Sequence, residues 1–436
     1  MEVSDNLKII TSQEFKGKTL NQVVNRGKMD LSQISLSVRS IISDVKENGD
    51  EALLRYTEKF DKARLTKAEL KVTENEIKDA YKKLRKNQIN ALKKAAKNIV
   101  RFHKKQIKNA LSLEMVKGVI AGQVTRSLSA VGVYAPGGKA SYPSSVLMCV
   151  IPAKVAGVKK IIVCSPPGEN GSLNPAFLVA ADLAGATEIY KVGGAQAIAA
   201  MAYGTETIAK VDKIVGPGNV FVTAAKLEVS KDVAIDLPAG PSEILIIADE
   251  TANASFIASD LLAQAEHDFQ AWAILLTTSE ELAEKVEEQV SNQMKSLSRA
   301  EIVKSSLQTG GLIVVVKNVD EAVEYANLIA PEHVHIQTKN PSQVFDKIRN
   351  AGAVFLGEYS PVALGDYSSG LNHVLPTGGY AKFYSGLSTK DFVKTINFLQ
   401  CTKQGCLNLK DTTVTLAKME GLDEHAKSVS IRGEAK

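Results

Sequence analysis

The sequence predicts an α/β protein made of two similar Rossmann-like parallel-sheet units, with helical segments at its N- and C-terminal ends. Three observations lead there. From about Leu128 the chain alternates short β-rich runs with apolar-periodic helical segments. This alternation occurs twice, over about 130–235 and 238–360. Between the two lies Asp236-Leu-Pro-Ala-Gly-Pro-Ser242, rich in residues that break regular structure. Strand then helix, repeated, builds a parallel sheet with crossover helices, because a parallel neighbour cannot be reached by a tight hairpin. Two such units leave a cleft, where α/β proteins tend to bind ligands.

Taken in order, residues 1–127 read as a helical segment. Val38, Ile41, Ile42, Val45, Ala52 and Leu53 recur at three- and four-residue steps, Gly49-Asp50 is a break, and no strand run of comparable strength occurs in residues 1–110. Residues 128–237 form the first α/β unit. Its strands are expected at Ser129–Tyr134, Lys160–Cys164, Glu188–Val192 and Lys213–Val215, with helices at Asn174–Leu183 and Ala195–Ala202. Residues 238–375 form the second. Strands are expected there at Glu243–Ala248, Ala271–Thr277, Gly311–Val316 and Ala353–Leu356, with helices at Ser255–Ala265 and Glu280–Met294. From Gly357 through Gly379 the chain is loop-rich. Residues 376–436 are expected to be helical again, as in Thr389–Phe398 and Thr413–His425. A terminal helical segment with a candidate ligand on its last turn points across to another subunit.

A chain of 436 residues is long enough for about two to four structural units. At 44% hydrophobic and 23% charged it carries no signature of disorder. The start lacks a basic end followed by a long apolar stretch, and the longest apolar run, Val146 to Val158, is interrupted by Pro152 and Lys154. A cytoplasmic protein with no membrane partner is expected. Cys149, Cys164, Cys401 and Cys406 form no Cys-x-x-Cys pair, which argues against a zinc ribbon or a redox motif, and all four read as structural. Net charge is +5, with lysine and arginine concentrated between Lys82 and Lys108. Leu84, Ile89, Leu92, Ile99 and Val100 interleave them at helical spacing, so this run reads as the solvated face of amphipathic helices rather than a nucleic-acid surface.

The chemistry concentrates in short polar segments: Gln264-Ala-Glu-His267, Pro331-Glu-His-Val334, Gly365-Asp366 through Asn372-His373, and Glu420 through His425. Histidines with Asp366 supply nitrogen and oxygen ligands and general bases, the parts of a metal site that handles protons. Asp260, Gln264 and His267 share a polar stripe on one helix, opposite Phe256, Ile257, Leu261 and Leu262. By residue type Glu266 is a better zinc ligand than Gln264, yet it points about 100° away from His267. A histidine there also suits a helix end, and the residues alone leave both readings open. Glu332 and His333 can serve one substrate only from a turn at the strand's start, since neighbours on an extended segment face opposite ways. A plain surface turn is the competing reading. His103 and His335 read as structural. Tyr134-Ala-Pro-Gly-Gly138, Val192-Gly-Gly-Ala-Gln196 and Gly216-Pro-Gly-Asn219 each end a strand, but none continues to Gly-x-Gly-x-x-Gly, so no dinucleotide site follows from motif.

These segments, in this order, resemble the histidinol dehydrogenase family. The resemblance runs from Val38–Asp61 through Gly132–Gly138, Val192–Ala199, Val211–Asn219 and Pro238–Glu243 to Gln264–His267, Pro331–His333 and Gly365–Thr377. It implies zinc- and NAD-dependent four-electron oxidation of L-histidinol to L-histidine through bound L-histidinal, the last two steps of histidine biosynthesis. It also implies a homodimer with a shared active site and one Zn2+ per subunit. By the same resemblance the metal ligands are Gln264, His267, Asp366 and, from the partner chain, His425. The resemblance assigns His333 as the base that takes the hydroxyl proton and Glu332 as the base that activates water. Ser242 and Glu420 match further substrate contacts, Tyr134, Gln196 and Asn219 match NAD+ contacts, and His373 a supporting position. One departure is Asp268-Phe-Gln-Ala-Trp272, bulkier and more apolar than the family pattern leads one to expect. Two other readings compete: a family relative oxidising another small alcohol, and a zinc hydrolase using Glu332 with a metal-bound water. A non-catalytic imidazole- or metal-binding protein is a third.

Overall fold

The computed structural model describes residues 7–26, 32–107, 111–137, 141–237 and 240–434. Its strands, in chain order, are β1 Lys8–Thr11, β2 Leu111–Val116, β3 Val119–Ser127, β4 Ala130–Tyr134, β5 Lys160–Cys164, β6 Glu188–Tyr190 and β7 Lys213–Val215. They continue with β8 Ala234–Ile235, β9 Glu243–Ala248, β10 Trp272–Thr277, β11 Gly311–Val315, β12 His333–Gln337, β13 Ala353–Leu356 and β14 Val393–Cys401.

Two parallel sheets carry the architecture, as the strand-helix alternation predicts. One has the order β6-β5-β4-β7-β8 and the other β1-β11-β10-β9-β12-β13. Within each, alternate residues enter different cores, which is how a strand covered on both faces must behave. In the first sheet Val131, Val133, Ile161 and Val163 pack with the helix Pro143–Val155, while Ile162, Cys164 and Ile214 pack with the helices Gly194–Tyr203 and Ser32–Asp61. In the second, Ile244, Ile246 and Leu275 face Leu261 and Val286, and Leu245, Ile247 and Leu276 face Val323 and Ala326. Chain ends of helices follow local chemistry. At Pro175–Ala184, Asn174 caps the first turn by accepting from the Ala176 amide at 2.8 Å, and Gly185 closes the last with φ +90°.

Each parallel sheet reverses its chain order at one place: between β4 and β7 in the first, between β9 and β12 in the second. Loops diverge at such a reversal and open a crevice. The segment after β13 ties the units together. Asn372 donates its amide to the Met148 carbonyl at 2.7 Å, and Val374, Leu387 and Phe392 are buried in the first unit's core.

Three expectations need correction. A strand does form in the N-terminal segment: β1 pairs with β11, Lys8 opposite Leu312, and extends the second sheet at its edge. Only Ile10 of its four residues is buried, so no periodicity was there to be read. The segment Thr389–Phe398, expected to be helical, is a 3-10 turn over Thr389–Phe392 followed by β14. β14 pairs antiparallel with β3, and β3 with β2, so a three-stranded sheet stands where helices alone were expected. The β2–β3 hairpin turns at Gly118, whose φ of +82° suits glycine. Cross-strand pairing supplied what local propensity did not, since β14 and its partner β3 lie far apart in the chain.

Smaller expectations hold in part. Cys149 and Cys164 are buried, as core residues should be, whereas Cys401 is exposed and Cys406 half-buried. The basic residues of 82–104 lie on exposed faces of the helices Glu74–Lys83 and Lys86–Lys104, with Ala96 and Ile99 turned into the core. Lys108 and Gly138 lie outside the described residues.

Candidate active site

The second sheet's reversal point holds the proposed bases. The helix Val319–Ile329 ends at Ala330, a non-glycine residue in the left-handed region at φ +50°, and Pro331 and Glu332 then lead into β12. His333 is the first residue of β12, opposite Ile244 of β9. Glu332 therefore sits in the turn and His333 at the strand's start, which lets both side chains serve one site. Both are buried, 6% and 3% exposed. His333 Nδ1 lies 2.8 Å from the Glu243 carbonyl, so Nδ1–H donates and the neutral ring keeps its lone pair on Nε2. That Nε2 has no hydrogen-bond partner and lies 3.9 Å from the Asp366 carboxylate. Burial pushes His333 down to about 4, which keeps the ring neutral at physiological pH. Burial raises Glu332 well above the usual carboxylate range, and the carboxylates of Glu243 and Asp366 add to this. The Glu243 amide, donating to Glu332 Oε2 at 2.8 Å, and Arg26 oppose it.

Asp366 lies in the last turn of the short helix Val362–Tyr367. Burial alone pushes its carboxyl up to about 7. His373 Nδ1–H donates to the Asp366 carbonyl at 2.9 Å, and its Nε2 accepts from the Ser145 hydroxyl at 3.2 Å. His373 thus pins the Asp366 loop to a helix of the first unit. Gln264 is buried on the last turn of the helix Ala254–Ala265, and the His267 amide donates to its carbonyl at 3.2 Å. The third member of that stripe, Asp260, lies 3.0 Å from His335 Nδ1 and accepts from the Gln337 amide at 3.1 Å. His335 Nε2 meets the Gly357 carbonyl at 2.9 Å, so this histidine is structural, clamping the helix against β12.

His333 and Asp366 lie at the amino ends of β9 and β12, and His267, at the end of the helix after β9, is close enough to act on the His333 and His373 rings, with Gln264 one turn before it. The first sheet offers its carboxyl ends instead. Tyr134 ends β4, and its hydroxyl accepts from the Gly194 amide at 3.3 Å. Gln196 is 1% exposed with neither amide atom hydrogen-bonded, an arrangement that calls for a ligand. Asn219 caps the helix Val220–Val229, accepting from the Phe221 and Val222 amides at 3.0 and 3.1 Å. The turn before it needs glycine: Gly216 has φ +113°, and a Cβ there would stand 2.0 Å from the Tyr134 carbonyl oxygen. Beneath it, buried Lys226 pairs with Asp236 and donates to the Gly216 carbonyl at 3.0 Å. Ser242 is half-buried, directly before β9.

The histidinol dehydrogenase family model matches residues 24–433. The chain is 52% identical over 415 residues to a histidinol dehydrogenase of Methanothermobacter thermautotrophicus, covering 95% of this chain and 97% of that one. It is 51% identical over 431 residues to one of Clostridium acetobutylicum, covering 99% and 100%. The chain belongs to the histidinol dehydrogenase family. A crystal structure of histidinol dehydrogenase from Elizabethkingia anophelis superposes with a TM-score of 0.92 at 43% identity over 98% of both chains, so the family fold extends throughout. As a member of this family the protein is an oxidoreductase.

Glu420 and His425 stand apart from the rest. Glu420 caps the helix Lys403–Met419, His425 lies on the helix Asp423–Glu434, and both are exposed in the single chain. No ion pair among the described residues joins either to the cluster around His333. Among the described residues of one chain, no three His, Cys, Asp or Glu side chains are grouped to hold a metal ion. Two residues escaped sequence reasoning: Arg26, in no motif, and Glu243, the last residue of a matched segment but unassigned. Both are buried beside Glu332.

Proposed function

We propose that the protein oxidises L-histidinol to L-histidine through L-histidinal, with two NAD+ reduced per turnover at a site bearing one Zn2+. The observation that carries this reading is the buried, unpartnered Nε2 lone pair of His333, 3.9 Å from Asp366, on a ring whose Nδ1 lies 3.6 Å from Glu332. A base held neutral with its lone pair aimed into a site suits removal of a proton from a neutral alcohol.

NAD+, when bound, accepts a hydride in each of the two steps. In the first, His333 Nε2 takes the hydroxyl proton as the carbinol C–H bond breaks. In the second, Glu332 takes a proton from the water that adds to the aldehyde carbon, leaving a hydrate whose C–H electrons can depart. Tyr134, Gln196 and Asn219 would contact NAD+ from the switch point of the first sheet. The idle amide of Gln196 supports this.

The donor set fits zinc. Gln264, His267 and Asp366 offer oxygen and nitrogen from one chain, and Asp366 is a buried carboxyl whose shift has no cation behind it. Zinc, when bound, would hold the imidazole and amino nitrogens of the substrate. A single chain supplies too few ligands, which supports a homodimer in which each His425 and Glu420 complete the partner's site, with Ser242 as a further substrate contact. Leu111 and Leu113 of β2 and Leu399 of β14 are exposed on one face of the antiparallel sheet next to that arm, an apolar surface suited to a second copy. Among the described residues no helix is long and apolar enough to cross a membrane.

The test is the NADH formed per L-histidinol consumed, with and without a strong chelator. Two per substrate, lost on chelation and restored by zinc, is the expected result. One would indicate a relative that stops at the aldehyde; none would overturn the reading.

A further inference from the structure

We infer that the buried Arg26–Glu243 ion pair is the positioning element that sets both proposed bases, so that the N-terminal turn is a working part of the active site. The inference rests on the reading of Glu332 and His333 given above.

Residue 243 touches both bases through its main chain. Its amide donates to Glu332 Oε2 at 2.8 Å and its carbonyl accepts from His333 Nδ1 at 2.8 Å. A carbonyl accepts and never donates, so this contact selects the ring tautomer that leaves Nε2 free. The orientation of residue 243 therefore decides which nitrogen of His333 can act. Its side chain holds that orientation. Glu243 Oε1 accepts from Arg26 Nε at 2.9 Å and from the Gly378 amide at 2.7 Å. Oε2 accepts from Arg26 Nη2 at 2.5 Å and from the Glu332 amide at 3.3 Å. Four donors saturate the carboxylate, leaving it nothing to offer a substrate.

Arg26 is anchored in turn. Nη1 donates to the Val23 carbonyl at 2.7 Å and to the Ile329 carbonyl at 3.1 Å. Ile329 is the last residue of the helix that delivers Glu332, immediately before the left-handed Ala330. The pair thus pins four segments: the turn at Val23–Arg26, the start of β9, the helix end at Ile329–Glu332, and the loop at Gly378. Side-chain exposure is 1% for Arg26 and 3% for Glu243, where a fork of two parallel hydrogen bonds tolerates little displacement. A wholly buried ion pair is a poor stabiliser compared with apolar packing. Its place against both bases accounts for it better than stability does. The guanidinium also opposes, by its charge, the upward push that burial and the neighbouring carboxylates exert on Glu332.

The experiment uses the full-length enzyme with Arg26→Met, Arg26→Lys and Glu243→Gln, each alone and combined with Glu332→Gln. Separate rates are taken with L-histidinol and L-histidinal, alongside zinc content and melting temperature. Arg26→Met is expected to lower kcat for the aldehyde step by about tenfold or more, with KM for NAD+ and zinc content unchanged. Arg26→Lys, which keeps the charge but loses the fork, should recover part of that loss. In the Glu332→Gln background the Arg26 change should cost less than about twofold on the aldehyde step, because Glu332, the base of that step, is already gone. Should Arg26→Met fail to fold, Arg26→Lys carries the same comparison. Additive losses from Arg26 and Glu332, or wild-type kcat in Arg26→Met, would overturn the inference and leave the two bases as assigned. Indifference of both steps to Glu332→Gln alone would overturn that assignment and the inference with it.

Discussion

His333 Nδ1 sits 2.8 Å from the main-chain oxygen of Glu243, a residue 90 positions earlier in the chain. β9 and β12 are neighbours only because the chain reverses its strand order there, so the topology of the sheet selects the tautomer of the histidine. The free Nε2 lies within 3.9 Å of Asp366, on the side where His267 and Gln264 arrive.

Glu332→Gln keeps the shape of the side chain and removes its ability to take a proton. The expected outcome is a loss of about a hundredfold or more in oxidation of L-histidinal, with a smaller loss in oxidation of L-histidinol. Single-turnover rates from each substrate measure this directly. Equal losses would count against the assignment of Glu332 to water.

His425→Asn removes a proposed ligand that is exposed in the isolated chain, so no core contact is lost. Zinc content per subunit should fall while the melting temperature of the metal-free protein stays within about 2 °C of wild type. Retention of zinc and of full activity would exclude a shared site. Mixing this variant with an Asp366→Asn variant should restore about one working site in each mixed dimer, a pattern that two self-contained sites cannot produce.

Zinc affinity should depend on pH in a stated direction. Burial raises the folded-state pKa of Asp366 to about 7, so the carboxyl carries its proton below that value and must release it to ligate. Apparent affinity should rise as pH increases toward about 7 and level off above it. Chelator competition across that range reads the slope, and Asp366→Asn should flatten it. The same raised pKa means that ionising this buried group without a metal costs stability as pH climbs past its unfolded value, so zinc should raise the melting temperature most on the alkaline side.

Gly216→Ala tests the switch point of the first sheet. With φ at +113° and the Tyr134 carbonyl 2.0 Å from the new methyl, the turn must move. Isothermal titration should show NAD+ binding weakened by about tenfold or more, with zinc content unchanged. Unaltered NAD+ affinity would remove this turn from the cofactor site.

Legibility differed from one part of the chain to another for definite reasons. Strands β5, β7, β9 and β13 were readable to the residue because each is a short apolar run between breakers, and the first three are largely buried. β14 was misread as helix because most of its residues are exposed, and its partner β3 lies more than 250 positions away in register Val393 to Ser127. β1 escaped because four mostly exposed edge residues carry no pattern. Among candidate site residues, Glu332 in the turn and His333 at the strand's start meet the condition that alternation of side chains along a strand sets for a pair serving one site, while a plain surface turn is ruled out by their burial. Arg26 could not be found, since nothing in its neighbours marks it and its partner is 217 positions distant.

By itself, then, the sequence determined the local chemistry and the family: which runs are strands, which helix face is polar, and which ordered segments tie the chain to the histidinol dehydrogenases. Tertiary structure alone decided that Gln264, His267, Asp366 and the Glu332–His333 turn share the amino ends of β9 and β12. It also chose the ring nitrogen of His333 that stays free and assigned Glu243 and Arg26 a task. The division has a physical cause. Periodicity and residue type report interactions within a few positions, whereas a hydrogen bond between distant backbone groups exists only once packed sheets have brought them together.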